Sequence, residues 1–194
     1  LRRLRGVNRR GVGTGRRRRE NVELKRPASV PTDLVGASAA SRALKSNLGK
    51  GMRSNGRVLL TGPAGSGKEL AARIVHAGSE RAHAPFVSVN SASIEPDRME
   101  EVLFGRESPE RGVEKGLLEE ANGGVIYFDE VADMPLGTQS KILRVLVEQR
   151  FARVGGIDKV NVDIRVISST TRDLQAEIAA ARFREELYHR LNVV

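Results

Sequence analysis

A glycine-rich loop that ends in lysine is the first feature of this sequence that could do chemistry. Its residues are Gly62-Pro63-Ala64-Gly65-Ser66-Gly67-Lys68-Glu69. The spacing G-x-x-x-x-G-K, after an apolar run and before a helical pattern, is typical of a loop that binds nucleotide phosphates. Backbone N–H groups and the positive end of the following helix attract the phosphates, and the Lys68 ammonium reaches the β and γ oxygens. The alternative is an ordinary glycine-rich turn with a surface lysine.

Glu69 departs from this pattern, because the position after the lysine usually holds a Ser or Thr that binds magnesium. A carboxylate is an awkward neighbour for phosphate. The difficulty disappears only if the Glu69 side chain points away from the loop.

A second candidate site is a pair of acids, Asp129 and Glu130, directly after the apolar run 125–128. A strand that ends in two carboxylates places them where a parallel sheet binds its ligands. In the usual arrangement Asp129 holds the magnesium shell and Glu130 polarises the attacking water. The alternative is a strand followed by two solvated acids.

Strands and helices that alternate along the chain would position these residues. The predicted strands are 58–60, 86–89, 125–128 and 160–168, and the predicted helices are 37–48, 68–76, 138–149 and 173–182, with a loop at 49–56. This alternation indicates an α/β fold, in which a parallel sheet is covered by helices on both faces.

The net charge of the chain comes from its first residues. Residues 1–26 account for the whole net charge of +9, and acids and bases balance in 27–194. We interpret 1–32 as a basic disordered linker and 33–194 as the folded domain, although such a tail can also bind nucleic acid or anionic membrane. The chain has no cysteine, no apolar run long enough to span a bilayer and no secretory signal. These features favour a cytoplasmic protein without a membrane partner.

Further motifs occur in a characteristic order. They are Asn90 after the second strand, Leu103-Phe104-Gly105, Arg144-Val145-Leu146, Arg153-Val154-Gly155-Gly156 and Phe183-Arg184-Glu185-Glu186-Leu187-Tyr188-His189-Arg190-Leu191-Asn192-Val193. With the glycine-rich loop and the acid pair, they resemble the central domain of sigma-54-dependent transcription activators over about residues 33–194. Members of that family are AAA+ ATPases that remodel the closed promoter complex of an alternative sigma factor. Segments 96–101 and 132–134 resemble NtrX-type response regulators of nitrogen regulation, part of two-component systems.

The resemblance implies a fold and a role for each matching residue. The fold is the AAA+ P-loop core. Residues 62–69 would bind ATP, Asp129 would hold Mg²⁺, and Glu130 would activate water. Asn90 resembles the switch asparagine that holds the catalytic glutamate; alternatively it caps a turn.

The arginines implied by the resemblance would act between subunits. Arg184 and Arg190 resemble the arginines that reach the γ-phosphate of a neighbouring subunit, so the resemblance implies a ring of identical chains. Either arginine could instead pair with a nearby acid, as Arg190 could with Glu186 at a spacing of four residues. Thr171 stands where the family has a strand-end asparagine, and its hydroxyl has a shorter reach.

The stretch after Leu103-Phe104-Gly105 departs from the family. Members carry an apolar Gly-Ala-Phe-Thr-Gly-Ala loop that contacts sigma-54, whereas residues 106–115 here are charged and contain a proline. The departure argues against a sigma-54 contact and leaves another sigma factor as a partner. It also favours a second reading, a nucleotide-gated DNA-binding regulator with negligible ATP turnover.

The resemblance also implies segments outside these residues. They are a receiver domain before the core, a helical lid after Val194 and a DNA-binding segment. We therefore expect the chain to be a fragment of a longer regulator.

Overall fold

The computed structural model describes residues 38–194, so the predicted basic linker 1–32 lies outside the described residues. Within the described part, the helices are α1 (Ala39–Arg53), α2 (Lys68–Ala77), α3 (Pro96–Phe104), α4 (Leu117–Glu120), α5 (Leu136–Glu148), α6 (Leu174–Ala179) and α7 (Glu185–Leu191). The strands are β1 (Val58–Thr61), β2 (Phe86–Asn90), β3 (Arg106–Ser108), β4 (Gly112–Glu114), β5 (Val125–Asp129), β6 (Arg150–Ala152), β7 (Lys159–Asn161) and β8 (Arg165–Thr170).

A parallel sheet of four strands forms the centre of the fold, in the order β1-β8-β5-β2. Its register places Asn90 beside Asp129 and Thr61 beside Thr170, so the carboxyl ends of the strands meet at one edge. The remaining strands form two antiparallel ribbons, β3-β4 and β6-β7. The predicted α/β fold with a parallel sheet is confirmed.

Apolar side chains alternate along the strands and build a separate core on each face of the sheet. Val125, Tyr127 and Ile167 pack on the side of α1 and α2. Ile126 and Phe128 face the opposite side and pack with residues of α3, α4, α5 and α7. Because both faces are covered, β5 is an almost uninterrupted apolar run rather than an alternating one.

The first helix is longer than predicted. Residues 49–56 were expected to form a loop, but α1 continues through both Gly49 and Gly51 to Arg53. The buried guanidinium of Arg165 explains the extension, because its Nη2 donates to the Gly51 carbonyl at 2.5 Å and its Nε donates to the Gly56 carbonyl at 3.0 Å. A cation at the C-terminal end of a helix satisfies carbonyls that have no helical partner and opposes the helix dipole.

The single strand predicted at 160–168 is wrong. Residues 159–161 belong to the β6-β7 ribbon, and the central strand β8 begins at Arg165. Between them the Val162 N–H donates to the Gln149 carbonyl at 2.9 Å, which anchors the ribbon where α5 ends. The last predicted helix is also too long: α6 ends at Ala179, because the Arg182 and Phe183 N–H groups both turn back onto the Glu177 carbonyl.

The charged stretch 106–115 forms the β3-β4 hairpin. Glu107 lies in this hairpin, and its carboxylate accepts from the Arg153 Nη1 at 3.2 Å. Arg153 also donates from Nε and Nη2 to the two carboxylate oxygens of Glu119, each at 2.8 Å. This largely buried arginine therefore joins the hairpin, the start of α4 and the end of β6, and its carboxylate partners raise its pKa.

Candidate nucleotide-binding site

The glycine-rich loop connects the end of β1 to the start of α2. Gly65 and Gly67 have φ angles of 75° and 83°, in the left-handed region that favours glycine. A Cβ atom at either position would meet nothing within 4 Å, so the space in front of the loop is open. The loop is closed on its other side by the Ser66 N–H, which donates to the Pro63 carbonyl at 3.2 Å. Such a loop lets a phosphate approach the backbone closely.

Lys68 lies where the loop becomes a helix. Its Nζ donates to the carbonyls of Gly62 and Pro63 at 2.9 and 3.0 Å, which holds the ammonium across the loop. Glu69 is directed along the helix, where its Oε1 accepts from the Nη2 of Arg73 at 2.7 Å. The geometry leaves Lys68 as the charge beside the loop and turns the Glu69 carboxylate towards another partner.

A cleft of about 860 Å³ extends from the loop along β1 to α1. Its residues are Leu44, Asn47, Leu48, Lys50, Ser54, Val58, Leu59, Leu60, Thr61, Gly62, Pro63, Ser66, Gly67, Lys68, Leu70, Ala71, Val193 and Val194. The volume lies within the range of small-molecule sites, and aliphatic side chains form much of the lining. A ligand with phosphates on the loop would have an apolar wall for its remaining part.

Asp129 ends β5 at the ligand edge of the sheet. Its Oδ1 accepts from the Ser169 hydroxyl at 2.5 Å and from the Tyr127 hydroxyl at 3.1 Å. Burial raises the pKa of the Tyr127 phenol, and the nearby Asp129 charge raises it further. Tyr127 therefore keeps its proton and donates.

Glu130 follows in the left-handed conformation, with φ 52°. Its Oε2 accepts from both the N–H and the hydroxyl of Thr171, each at 3.0 Å. Asn90, the predicted switch residue, instead accepts at Oδ1 from the Ala92 N–H at 3.0 Å and caps the turn Ser91–Ser93. Asp129, Glu130 and Asn90 therefore lie at the same edge of the sheet. Glu130 accepts its hydrogen bonds from Thr171 and none from Asn90.

Both predicted intersubunit arginines are exposed near α7. Arg184 donates from Nε to the Leu136 carbonyl at 3.2 Å, and its N–H donates to Oε1 of the buried Gln139 at 2.9 Å. Within residues 38–194, Arg190 has no ion pair with Glu186; the acid and base paired at this spacing on α7 are Glu185 and His189, 3.6 Å apart. Both guanidinium groups therefore lie on the surface of the chain.

Similarity to known proteins identifies the family of this chain. The Sigma-54 interaction domain family matches residues 34–194. The chain belongs to this family. Nitrogen assimilation regulatory protein NtrX of Azorhizobium caulinodans is 52% identical over 189 residues, which cover 97% of this chain and 41% of NtrX. The DNA-binding transcriptional regulator NtrC of Escherichia coli K12 is 41% identical over 178 residues, covering 90% and 37%.

Solved structures of Sigma-54 interaction domain relatives have the same fold. NtrX of Brucella abortus in complex with ATP has a TM-score of 0.79 and 54% identity, over 84% of this chain and 36% of that one. The P-loop NTPase domain of an Escherichia coli sigma-54 activator has a TM-score of 0.52 and 17% identity, over 75% of this chain and 98% of that domain, and supports the fold alone. This chain therefore spans about two fifths of the curated regulators that it matches.

Sequence reasoning about this Sigma-54 interaction domain missed Tyr127, Ser169 and Gln139. Tyr127 is two residues before Asp129, so strand alternation could have placed both on one face. The Ser169 contact depends on the pairing of β5 with β8, and the Gln139 contact depends on how the segment before α7 meets α5. Neither arrangement has a local signal in the sequence.

Two kinds of feature are absent from residues 38–194. No helix among residues 38–194 is long and apolar enough to cross a membrane. The same residues contain no group of three or more His, Asp or Glu side chains placed to hold a metal. Magnesium in nucleotide sites is usually bound by one or two carboxylates together with substrate phosphates, and Asp129 offers one carboxylate at the ligand edge.

Proposed function

We propose that this chain binds ATP with Mg²⁺ and hydrolyses it between copies of itself in a ring. The open glycine-rich loop supports this proposal most directly, because two left-handed glycines and Lys68 surround space that continues into a cleft of nucleotide size. The relative NtrX of Brucella abortus, solved with ATP, adds support. ATP with its magnesium supplies the phosphoryl group that is transferred to water.

Each residue of the site has a part in this proposal. Lys68 leaves its two loop carbonyls and offers its ammonium to the β and γ oxygens. Asp129 presents its carboxylate at the carboxyl end of β5, where it would hold the magnesium shell. Glu130 accepts a hydrogen bond from the attacking water and aligns it.

The hydrogen bonds of Glu130 impose a condition on hydrolysis. Its Oε2 already accepts two bonds from Thr171, one of them from the backbone. Glu130 can align water through Oε1, or after it leaves Thr171. In this proposal the nucleotide state controls that exchange, and Asn90, which neighbours Asp129 in the register, becomes the alternative partner.

The same two bonds favour a second candidate function, a nucleotide-gated regulator with negligible turnover. If Thr171 holds Glu130 in every nucleotide state, ATP or ADP would set the oligomeric state without being consumed. The steady-state ATPase rate as a function of protein concentration distinguishes the two. A rate per subunit that rises with concentration supports hydrolysis in a ring, and nucleotide binding without turnover at any concentration supports the second candidate.

The ring is proposed from the two surface arginines. Arg184 and Arg190 are exposed, so in this proposal they are available to a nucleotide on a neighbouring subunit. An arginine that reaches the γ-phosphate from a partner stabilises the charge of the transition state.

The partners outside the ring follow from the relatives and from the hairpin. We infer that the longer regulator is cytoplasmic, belongs to a two-component system and binds DNA through a segment outside this chain. The hairpin presents charged residues, with Val113 as its exposed apolar side chain, at 53% exposure. Burying these charges without matched partners is costly. We therefore infer that the regulator acts through DNA occupancy or another sigma factor rather than through sigma-54.

A further inference from the structure

Two hydroxyl groups converge on one carboxylate oxygen at the carboxyl end of β5. The Ser169 Oγ lies 2.5 Å and the Tyr127 hydroxyl oxygen 3.1 Å from Oδ1 of Asp129, and the two hydroxyls are 2.8 Å apart. Tyr127 and Ser169 are both fully buried. The other carboxylate oxygen, Oδ2, has no hydrogen bond within residues 38–194.

Each of the two hydroxyl groups has a single proton, and this limits which oxygen each one donates to. The Ser169 contact with Oδ1 is the shortest of the three, so the Ser169 hydroxyl donates its hydrogen bond to the carboxylate. Its oxygen can then accept from Tyr127, whose single proton is shared between Ser169 and Asp129. Oδ1 is thus held by the Ser169 proton and by the shared Tyr127 proton, and Oδ2 remains for another ligand.

We propose that Tyr127 and Ser169 are positioning residues that orient the Asp129 carboxylate for Mg²⁺. This inference rests on the proposed role of Asp129 as the residue that holds the metal shell. An aspartate side chain has a broad terminal torsion and would otherwise sample many orientations. Two donors on Oδ1 restrict that torsion and present Oδ2 at the ligand edge.

Glu69 increases the importance of this restraint. It occupies the position where a Ser or Thr hydroxyl would bind magnesium, and its carboxylate pairs with Arg73 at 2.7 Å. The helix therefore supplies no hydroxyl ligand, and more of the protein's hold on the metal depends on how Asp129 is oriented. Partners that orient a ligand typically affect metal affinity by about 10–100-fold.

The Tyr127 ring is held independently of its hydroxyl. It packs in the core formed with α1 and α2, and its centroid is 6.0 Å from that of Phe86 in a stacked arrangement. Tyr127→Phe therefore removes the donor and keeps the packing. Tyr188→Phe is a matched control, because the Tyr188 hydroxyl accepts from Asn192, directly after α7, and has no contact with this network.

The test measures the Mg²⁺ dependence of ATP binding to the whole chain, with a fluorescent ATP analogue at fixed concentration. We expect Tyr127→Phe and Ser169→Ala to raise the Mg²⁺ concentration at half-maximal binding by about tenfold. Affinity for the analogue in EDTA should not change, and Tyr188→Phe should match the wild type in both. A merely structural role would lower the thermal midpoint and the EDTA affinity without moving the Mg²⁺ midpoint.

Asp129→Asn separates this inference from the proposed function. If it abolishes the Mg²⁺ dependence while Tyr127→Phe and Ser169→Ala leave the midpoint unchanged, Asp129 holds the metal and the positioning role is wrong. If Asp129→Asn leaves the Mg²⁺ dependence intact, the metal role of Asp129 is wrong and the inference falls with it.

Discussion

Lys68 donates two of its three ammonium protons to loop carbonyls, and in the proposed complex its ammonium turns to phosphate oxygens. We expect Lys68→Ala to remove charge-assisted bonds worth about 1.5–3 kcal/mol, which corresponds to roughly 10–150-fold in the Kd for ATP. Titration with a fluorescent ATP analogue measures this change. Lys141→Ala is the matched control, because Lys141 pairs with Glu100 outside the cleft lining. Equal affinity of the two variants would remove the assignment of the loop.

Glu130 allows binding and turnover to be separated. In Glu130→Gln the amide oxygen can still accept from Thr171, so the local structure and ATP affinity should persist. The uncharged amide is a much weaker acceptor for the attacking water, and we expect the ATPase rate to fall by about 100-fold or more. Equilibrium binding and steady-state hydrolysis, measured on the same preparation, check both halves. Loss of binding would show instead that Glu130 has a structural role.

For single residues, the local motif was enough to locate the glycine-rich loop but not to predict the hydrogen-bond partners of the site residues. Spacing and residue type located the loop and the acid pair, because both are contiguous in the chain. The partner of Glu130 was not accessible in this way. Thr171 reaches it only because β8 lies beside β5 in the sheet.

Among the secondary-structure elements, the β3-β4 hairpin has the closely packed glycines Gly105 and Gly116 at its base. Gly105 has φ 76°, and a Cβ there would lie 2.3 Å from the Glu114 carbonyl oxygen and 2.6 Å from the Gly116 nitrogen. Gly112, at the other end of the hairpin, has φ 69° but nothing within 4 Å. Alanine substitutions at Gly105 and Gly112 therefore distinguish the cost of a left-handed backbone from the cost of steric overlap.

We expect Gly112→Ala to cost about 1–2 kcal/mol in the free energy of unfolding, the usual penalty for a left-handed alanine. Gly105→Ala should cost clearly more, because backbone atoms must also move. Urea unfolding of both variants measures the difference. Equal losses would mean that the base of the hairpin adjusts freely.

Element boundaries show where local pattern fails. The helices with a clear apolar face, α2 and α5, were predicted within two residues. Helix α1 was predicted to end before its glycines. The Arg165 contact that stabilises its last turn comes from β8, 114 residues after Gly51. Strand β8 was merged with β7 because apolar residues recur at alternate positions from Val160 to Val166, although the two strands pair in different sheets.

For the whole molecule, the proposed ring predicts complementation between two inactive variants. Arg184→Ala keeps the loop but loses the arginine, and Lys68→Ala keeps the arginine but loses the loop. Each should hydrolyse ATP poorly alone. A mixture should recover part of the rate, because the arginine of one subunit then serves the loop of its neighbour. Failure to recover activity, with both variants shown to assemble, would place the arginine's action within one subunit or rule it out.

The charged hairpin gives a prediction for the longer regulator. Glu107 is tied to Arg153, and Arg106 lies 3.5 Å from Glu101, so part of the hairpin charge is already paired within the fold. We expect no ATP-dependent open-complex formation on a sigma-54 promoter in purified transcription. An established sigma-54 activator in the same reaction is the control. Robust activation by the regulator would contradict the inference from the hairpin.

The general architecture was predictable and the arrangement of strands was not. Alternating strands and helices indicated a covered parallel sheet, because such elements have few ways to bury both faces. The order β1-β8-β5-β2 places the second strand along the chain at the far edge. That order depends on packing across the sheet, which no local pattern records.

Strand β1 lies at an edge of the central sheet, and Val194 lies along it. The Leu59 N–H donates to the Val194 carbonyl at 3.3 Å, and the Val194 N–H donates to the Arg57 carbonyl at 3.2 Å. Val193 and Val194 also line the cleft. A ligand that packs against these valines would hold them on the strand and slow the exchange of the Leu59 amide proton with solvent deuterium. The exchange rate of the Leu59 amide would then report whether the cleft is occupied, without a covalent label on the protein.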